Sequence, residues 1–136
     1  MYETFEHTAD LGLRVRASDL ETLFTDAARG LTSMIAANHD AVRPVREIAF
    51  EVPGGRLDEL LFDWLTEILY AFESEHLLLS QFEVQFGESG LTATARGEAA
   101  DESRHQLEHE VKAITYHGLR VEQTPDGWLA EVIVDI

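Results

Sequence analysis

The chain has 136 residues, enough for one domain spanning 1–136 that buries its own core, and 45% apolar content with three prolines marks a packed protein rather than a disordered acidic tail. Twenty-six acidic against ten basic side chains leave a formal charge of −16, which argues against direct DNA or RNA binding because that affinity comes from Lys and Arg displacing counterions. With no cysteine there is no disulfide or thiolate metal site, and with no apolar run near the ~20 residues that span a bilayer, and no basic, greasy N-terminus, the expectation is a cytoplasmic protein without a membrane partner.

Residues 2–6 and 12–17 alternate apolar with polar side chains, the period of a half-buried strand, with a turn expected over Asp10 to Gly12. Ser18 and Glu21 fit a capping box at the start of a helix whose apolar stripe runs from Leu20 through Phe24, Ala27 and Leu31 to Ile35. Asn38 to Pro44 ends that helix. Ile48, Phe50 and Val52 alternate as a strand stopped by Pro53-Gly54-Gly55. A second helix follows, with Leu57, Leu60, Leu61, Trp64, Leu65, Ile68, Leu69 and Phe72 at three- and four-residue steps and Asp58 and Glu59 against the positive end of its dipole. Phe82 to Phe86 and Leu91 to Ala95 read as a hairpin across Gly87 to Gly90, and residues 103–114 as a short third helix. The segments 117–122 and 128–135 are strand-like and meet at a Thr124-Pro125-Asp126-Gly127 turn. Tight turns without strict βαβ alternation predict an α+β fold: one two-layer domain, a mixed or antiparallel sheet covered by two long amphipathic helices plus a short third one.

Nucleotide-binding loops of the Gly-x-Gly-x-x-Gly and Gly-x-x-x-x-Gly-Lys-Ser/Thr kinds are missing, as is a Gly-x-Ser-x-Gly nucleophile turn, so neither a nucleotide of its own nor covalent catalysis is expected. Two metal readings remain open. His105-Gln106-Leu107-Glu108-His109 spells the His-x-x-Glu-His of inverted zinc peptidases; on a helix the two histidines share a face and can grip zinc with Glu108 as base, the signature of a small zinc-dependent hydrolase. Alternatively, Asp10 in its turn and Asp135 beside the α-carboxylate of Ile136 form an oxygen-rich set suited to Ca²⁺, Mg²⁺ or Mn²⁺. Nine of the ten basic residues are Arg; Lys112 is the single ammonium, suited to a phosphate or carboxylate, and Thr115, Tyr116 and His117 follow it as a polar cluster.

Four segments, in order, resemble the archease family: His7-Thr8-Ala9-Asp10, the helix Leu57-Asp58-Glu59-Leu60-Leu61-Phe62-Asp63-Trp64-Leu65, Lys112-Ala113-Ile114-Thr115-Tyr116-His117, and the closing Gly127-Trp128-Leu129-Ala130-Glu131-Val132-Ile133-Val134-Asp135-Ile136. The resemblance implies a small α+β accessory factor, not itself a catalyst, that promotes guanylylation and turnover of a GTP-dependent RtcB-type RNA ligase in tRNA splicing and RNA repair, meeting RNA only through the ligase. It also implies a divalent-metal site on Asp10, Asp135 and the terminal carboxylate of Ile136, with Lys112 as a functional neighbour and His7 and His117 in support. The acidity fits a helper of a basic RNA-binding enzyme, since opposite charge speeds and orients encounter.

Overall fold

The computed structural model describes residues 1–7 and 9–136; Thr8 of the first motif lies outside the described residues. In chain order the elements are strands β1 (Tyr2–His7) and β2 (Asp10–Ala17), helix α1 (Leu20–Ile35), strand β3 (Arg46–Pro53), helix α2 (Leu57–Glu75), strands β4 (Leu77–Gly87) and β5 (Gly90–Ala99), the two-residue β6 (Ala113–Ile114), then β7 (Arg120–Thr124) and β8 (Gly127–Asp135). The α+β expectation holds, with two differences: there are two antiparallel sheets rather than one, and the short third helix is absent among the described residues. A five-stranded sheet has the order β1-β2-β8-β6 with β7 also on β8, and a three-stranded sheet has the order β3-β5-β4.

Period-two patterning decides which face of each sheet meets the helices. Leu13 and Val15 of β2 and Ala130, Val132 and Val134 of β8 are buried on the inner face, while Arg14 and Glu131 stand opposite each other on the outer face. Trp64 of α2 is fully buried, and its indole N–H donates to the Phe24 carbonyl of α1 at 3.0 Å. Its ring meets Phe50 of β3 and Phe82 of β4 edge-on, so one side chain ties both helices to the three-stranded sheet.

Two helix details depart from expectation. The first helix is capped by Asp19, whose carboxylate accepts from the Thr22 N–H at 2.7 Å, and not by Ser18; either residue can cap, and the one with its oxygen over the first turn wins. The third helix does not form. Residues 101–112 are turns and extended chain, because their polar groups serve the buried C-terminal end of α1. The N–H groups of Glu108 and His109 donate to the Ile35 and Met34 carbonyls, and Asn38 bonds the backbone of Arg104 and Gln106. The last carbonyls of a helix have no partner within it, and satisfying them outweighs the modest helical preference of 103–114.

Gly97 marks the tightest point of the smaller sheet. A Cβ there would lie 1.8 Å from the Leu78 carbonyl oxygen, beside the irregular register between Leu79 and Gln81. Because the obstacle is backbone, Gly97→Ala is expected to lower stability by about 2 kcal/mol, read as a lower urea midpoint with an unchanged m-value.

Candidate functional site

The row that carries the predicted oxygen donors is built by register. β1 pairs with β2 so that His7 faces Asp10; the turn expected over Asp10 to Gly12 does not form there, because all three residues are paired in β2, with Asp10 its first. β2 pairs with β8 through Leu11 and Val134, so one step further Asp10 stands across from Asp135. Asp135 in turn pairs with Ala113 of β6. Directly opposed residues of antiparallel strands share a face with Cβ atoms roughly 5 Å apart, so His7, Asp10 and Asp135 form one row on the outer face. Both aspartates are half-buried, and neither carboxylate has a hydrogen bond or ion pair among the described residues. Like charges placed so oppose folding, and a shared cation removes that cost.

The histidines flank this row. The His7 and His117 rings lie 5.3 Å apart and tilted by 55°, with His117 on the exposed side. His7 Nδ1 is buried and has no partner among the described residues. His117 is held by its N–H to Thr115 Oγ1, which itself donates to the Ile133 carbonyl. Lys112 reaches the row only through its backbone, whose N–H donates to the Asp135 carbonyl at 2.8 Å. Extending the register sets Lys112 against Ile136, on the opposite side of the sheet from the Asp135 side chain, and Lys112 lines a shallow groove against α2. Ile136 packs its side chain against the core.

Among the described residues no three His, Asp or Glu side chains form a group able to hold a metal ion. A cation here would therefore rest on two carboxylate side chains and the main-chain carboxylate of Ile136, with water for the remaining positions. The chemistry of that set, all hard oxygens and no thiolate, fits a divalent ion of the Ca²⁺ or Mg²⁺ kind.

The zinc reading fails on geometry. His105 and His109 do not share a helical face, since no helix is present there. His105 is buried with both nitrogens in use: the Asp101 N–H donates to Nδ1 at 2.9 Å, which makes Nε2 the protonated nitrogen, and Nε2–H donates to Glu98 at 3.0 Å. Its single lone pair, on Nδ1, is taken by the Asp101 N–H, so none is free for zinc.

That histidine belongs to a cluster which sequence patterning does not reveal. Glu98, on β5, is buried, and its carboxylate accepts from Arg104 Nη1 at 2.7 Å, from the Arg43 N–H at 2.7 Å and Nε at 3.2 Å, and from His105. The Arg104 hydrogen bond foremost, with those from Arg43 and His105, holds Glu98 well below the usual carboxylate range against the opposing effect of burial. The cluster fastens the 101–112 segment, and hence the approach to Lys112, onto the smaller sheet. Also unforeseen is the stack of Phe62 of α2 on Tyr116, with centroids 3.9 Å apart and planes within 8°.

Compared with known proteins, residues 2–136 match the profile described as the Archease protein family (MTH1598/TM1083). The chain is 44% identical over 139 residues to the protein archease of Methanopyrus kandleri, covering 99% of each, and 39% identical over 140 residues to that of Pyrococcus furiosus, covering 99% of this chain and 98% of the other. It superposes on the solution structure of Methanobacterium thermoautotrophicum protein 1598 with a TM-score of 0.87 at 33% identity, covering 99% of this chain and 98% of that one. The crystal structure of a Thermotoga maritima archease, called a possible chaperone, shares the fold with a TM-score of 0.68 at 21% identity, covering 100% and 98%. No helix among the described residues is long and apolar enough to cross a membrane.

Proposed function

The chain belongs to the archease family, and from that premise we propose that it is a non-catalytic activator of a GTP-dependent RtcB-type RNA ligase, promoting the ligase's guanylylation and turnover through a divalent cation. The observation that carries this reading is the pair of Asp10 and Asp135, opposite each other at the end of β2 and β8 and without an ion pair or hydrogen bond among the described residues. Two like charges held in register repel each other, and a cation bound between them would remove that cost.

In this reading Asp10, Asp135 and the α-carboxylate of Ile136 hold the ion, and His7 and His117 shape its flank. When bound, a divalent ion supplies charge neutralisation and a template for phosphate oxygens. The chain's own groups do the rest. The acidic surface steers the protein to a basic RNA-binding enzyme, and long-range attraction of this kind raises association rates by orders of magnitude at low salt. Lys112 presents a compact ammonium to an anionic group of the ligase complex; together with Arg16 it is one of two basic side chains, among the described residues, with no carboxylate partner.

The test is to mix the protein with its cognate ligase, GTP and a divalent cation and to follow the covalent ligase–GMP adduct. Faster adduct formation, and repeated turnover where the ligase alone stalls, is the expected result. Equal rates with and without the protein would reject the reading.

A further inference from the structure

We propose that the groove between α2 and β6 is where the basic surface of the ligase docks. The proposal rests on the ligase-activating reading and adds the contact surface. The groove encloses about 230 Å³; Leu69 and Ile114 form its floor, Phe62 and Tyr70 stand along α2, and Lys112 and Glu73 sit at its rim. Tyr70 is 63% and Tyr116 64% exposed, and Tyr116 extends the wall through its stack on Phe62. Two large aromatics left in water beside an apolar floor are the anchors that protein interfaces use, since they bury much area at small entropic cost.

Charge selects the occupant. α2 carries six acidic residues, Asp58, Glu59, Asp63, Glu67, Glu73 and Glu75, and no basic one. Asp58 and Glu75 are neutralised by Arg56 and Arg46, while the other four have no ion pair among the described residues. On the helical wheel these four lie on the exposed arc that carries Tyr70 and borders the groove. A surface bearing arginines satisfies both features, pairing with the carboxylates and stacking its guanidinium planes on Tyr70 and Tyr116. Nucleic acid would be repelled, and a second copy of this chain would bring the same acidic helix against itself. The groove also lies along the edge strand β6, whose Ala113 pairs with Asp135, but on the other side of the sheet from the His7, Asp10 and Asp135 row, so a partner seated there reaches that row around the edge of the sheet.

The experiment measures binding of the intact ligase, at low and high salt, to the wild-type protein, to the double variant Tyr70→Ser/Tyr116→Ser, and to Asp63→Lys/Glu67→Lys, whose positions are exposed. We expect Kd to rise at least about tenfold for each, through faster dissociation in the tyrosine variant and slower, less salt-sensitive association in the charge variant. Adduct formation at saturating concentrations should remain at the wild-type rate. Wild-type Kd in both variants, with the wild-type protein stimulating the ligase, would overturn the groove alone. A wild-type protein that neither binds nor stimulates would overturn the groove and the ligase reading together. Variants that change the mass of the free protein in sedimentation, without changing ligase binding, would assign the groove to self-association and overturn the proposal.

Discussion

Asp10→Ala is expected to abolish stimulation of ligase guanylylation while leaving the protein folded. The side chain is half-buried, opens a strand and has no hydrogen bond or ion pair among the described residues, so its loss, which relieves repulsion from Asp135, is expected to change stability by no more than about 0.5 kcal/mol in the metal-free protein. Metal provides the sharper contrast. An ion at a hundredfold excess over its Kd stabilises the wild-type fold by about 2.7 kcal/mol, a rise of roughly 10 °C in Tm for a domain of this size. Asp10→Ala and Asp10→Asn should lose that rise, and EDTA should lower the Tm of the wild type only. A Tm that follows added Ca²⁺, Mg²⁺ or Mn²⁺ equally in wild type and Asp10→Asn would place the cation elsewhere. Stimulation by Asp10→Ala at the wild-type level would discard the metal as the active element.

How far the site can be read without coordinates depends on what fixes each part. The elements from β1 to β5 follow from patterns that local physics enforces: the stripe of α2 is long and uninterrupted, and Pro53 with Gly54 and Gly55 closes β3 where expected. Asp10 and Asp135 lie at strand ends 125 positions apart in sequence, and their juxtaposition follows only once β2 is paired with β8, which no local pattern specifies. The family resemblance supplies the pairing that periodicity lacks. Residues 103–114 fail for a related reason. Leu107, Val111 and Ile114 have helical spacing, yet the segment's N–H groups are drawn to the end of α1 by contacts that patterning does not contain. The same loss of helix undoes the zinc spelling, because His105 and His109 share a face only if the helix exists. Tyr116 illustrates the last gap: an aromatic beside Lys112 reads as part of a polar cluster, whereas its stack on Phe62 makes it the wall of an apolar groove.

Glu98→Ala is the substitution expected to cost the fold most among the polar residues. Breaking a buried ionic network by deleting one member costs roughly 3–5 kcal/mol. The lower end applies here, because the Arg43 and Arg104 side chains are partly exposed and can return to water. His105 cannot. It is left buried with its Nε2–H unpaired, the Arg43 N–H also loses its acceptor, and the segment leading to Lys112 loses its fastening. A loss of about 3 kcal/mol in urea unfolding is expected. Glu98→Gln should fall between, since its amide oxygen retains an acceptor while the charge is gone. pH separates charge from packing. Glu98 has its folded pKa depressed below the unfolded value of about 4.3, so its contribution is fully present above that value and is lost as pH falls through the depressed folded pKa. The stability gap between wild type and Glu98→Gln should therefore be constant near neutrality and shrink steadily below about pH 5. A gap unchanged down to strongly acid pH would mean that shape, and not the carboxylate charge, secures this corner of the fold.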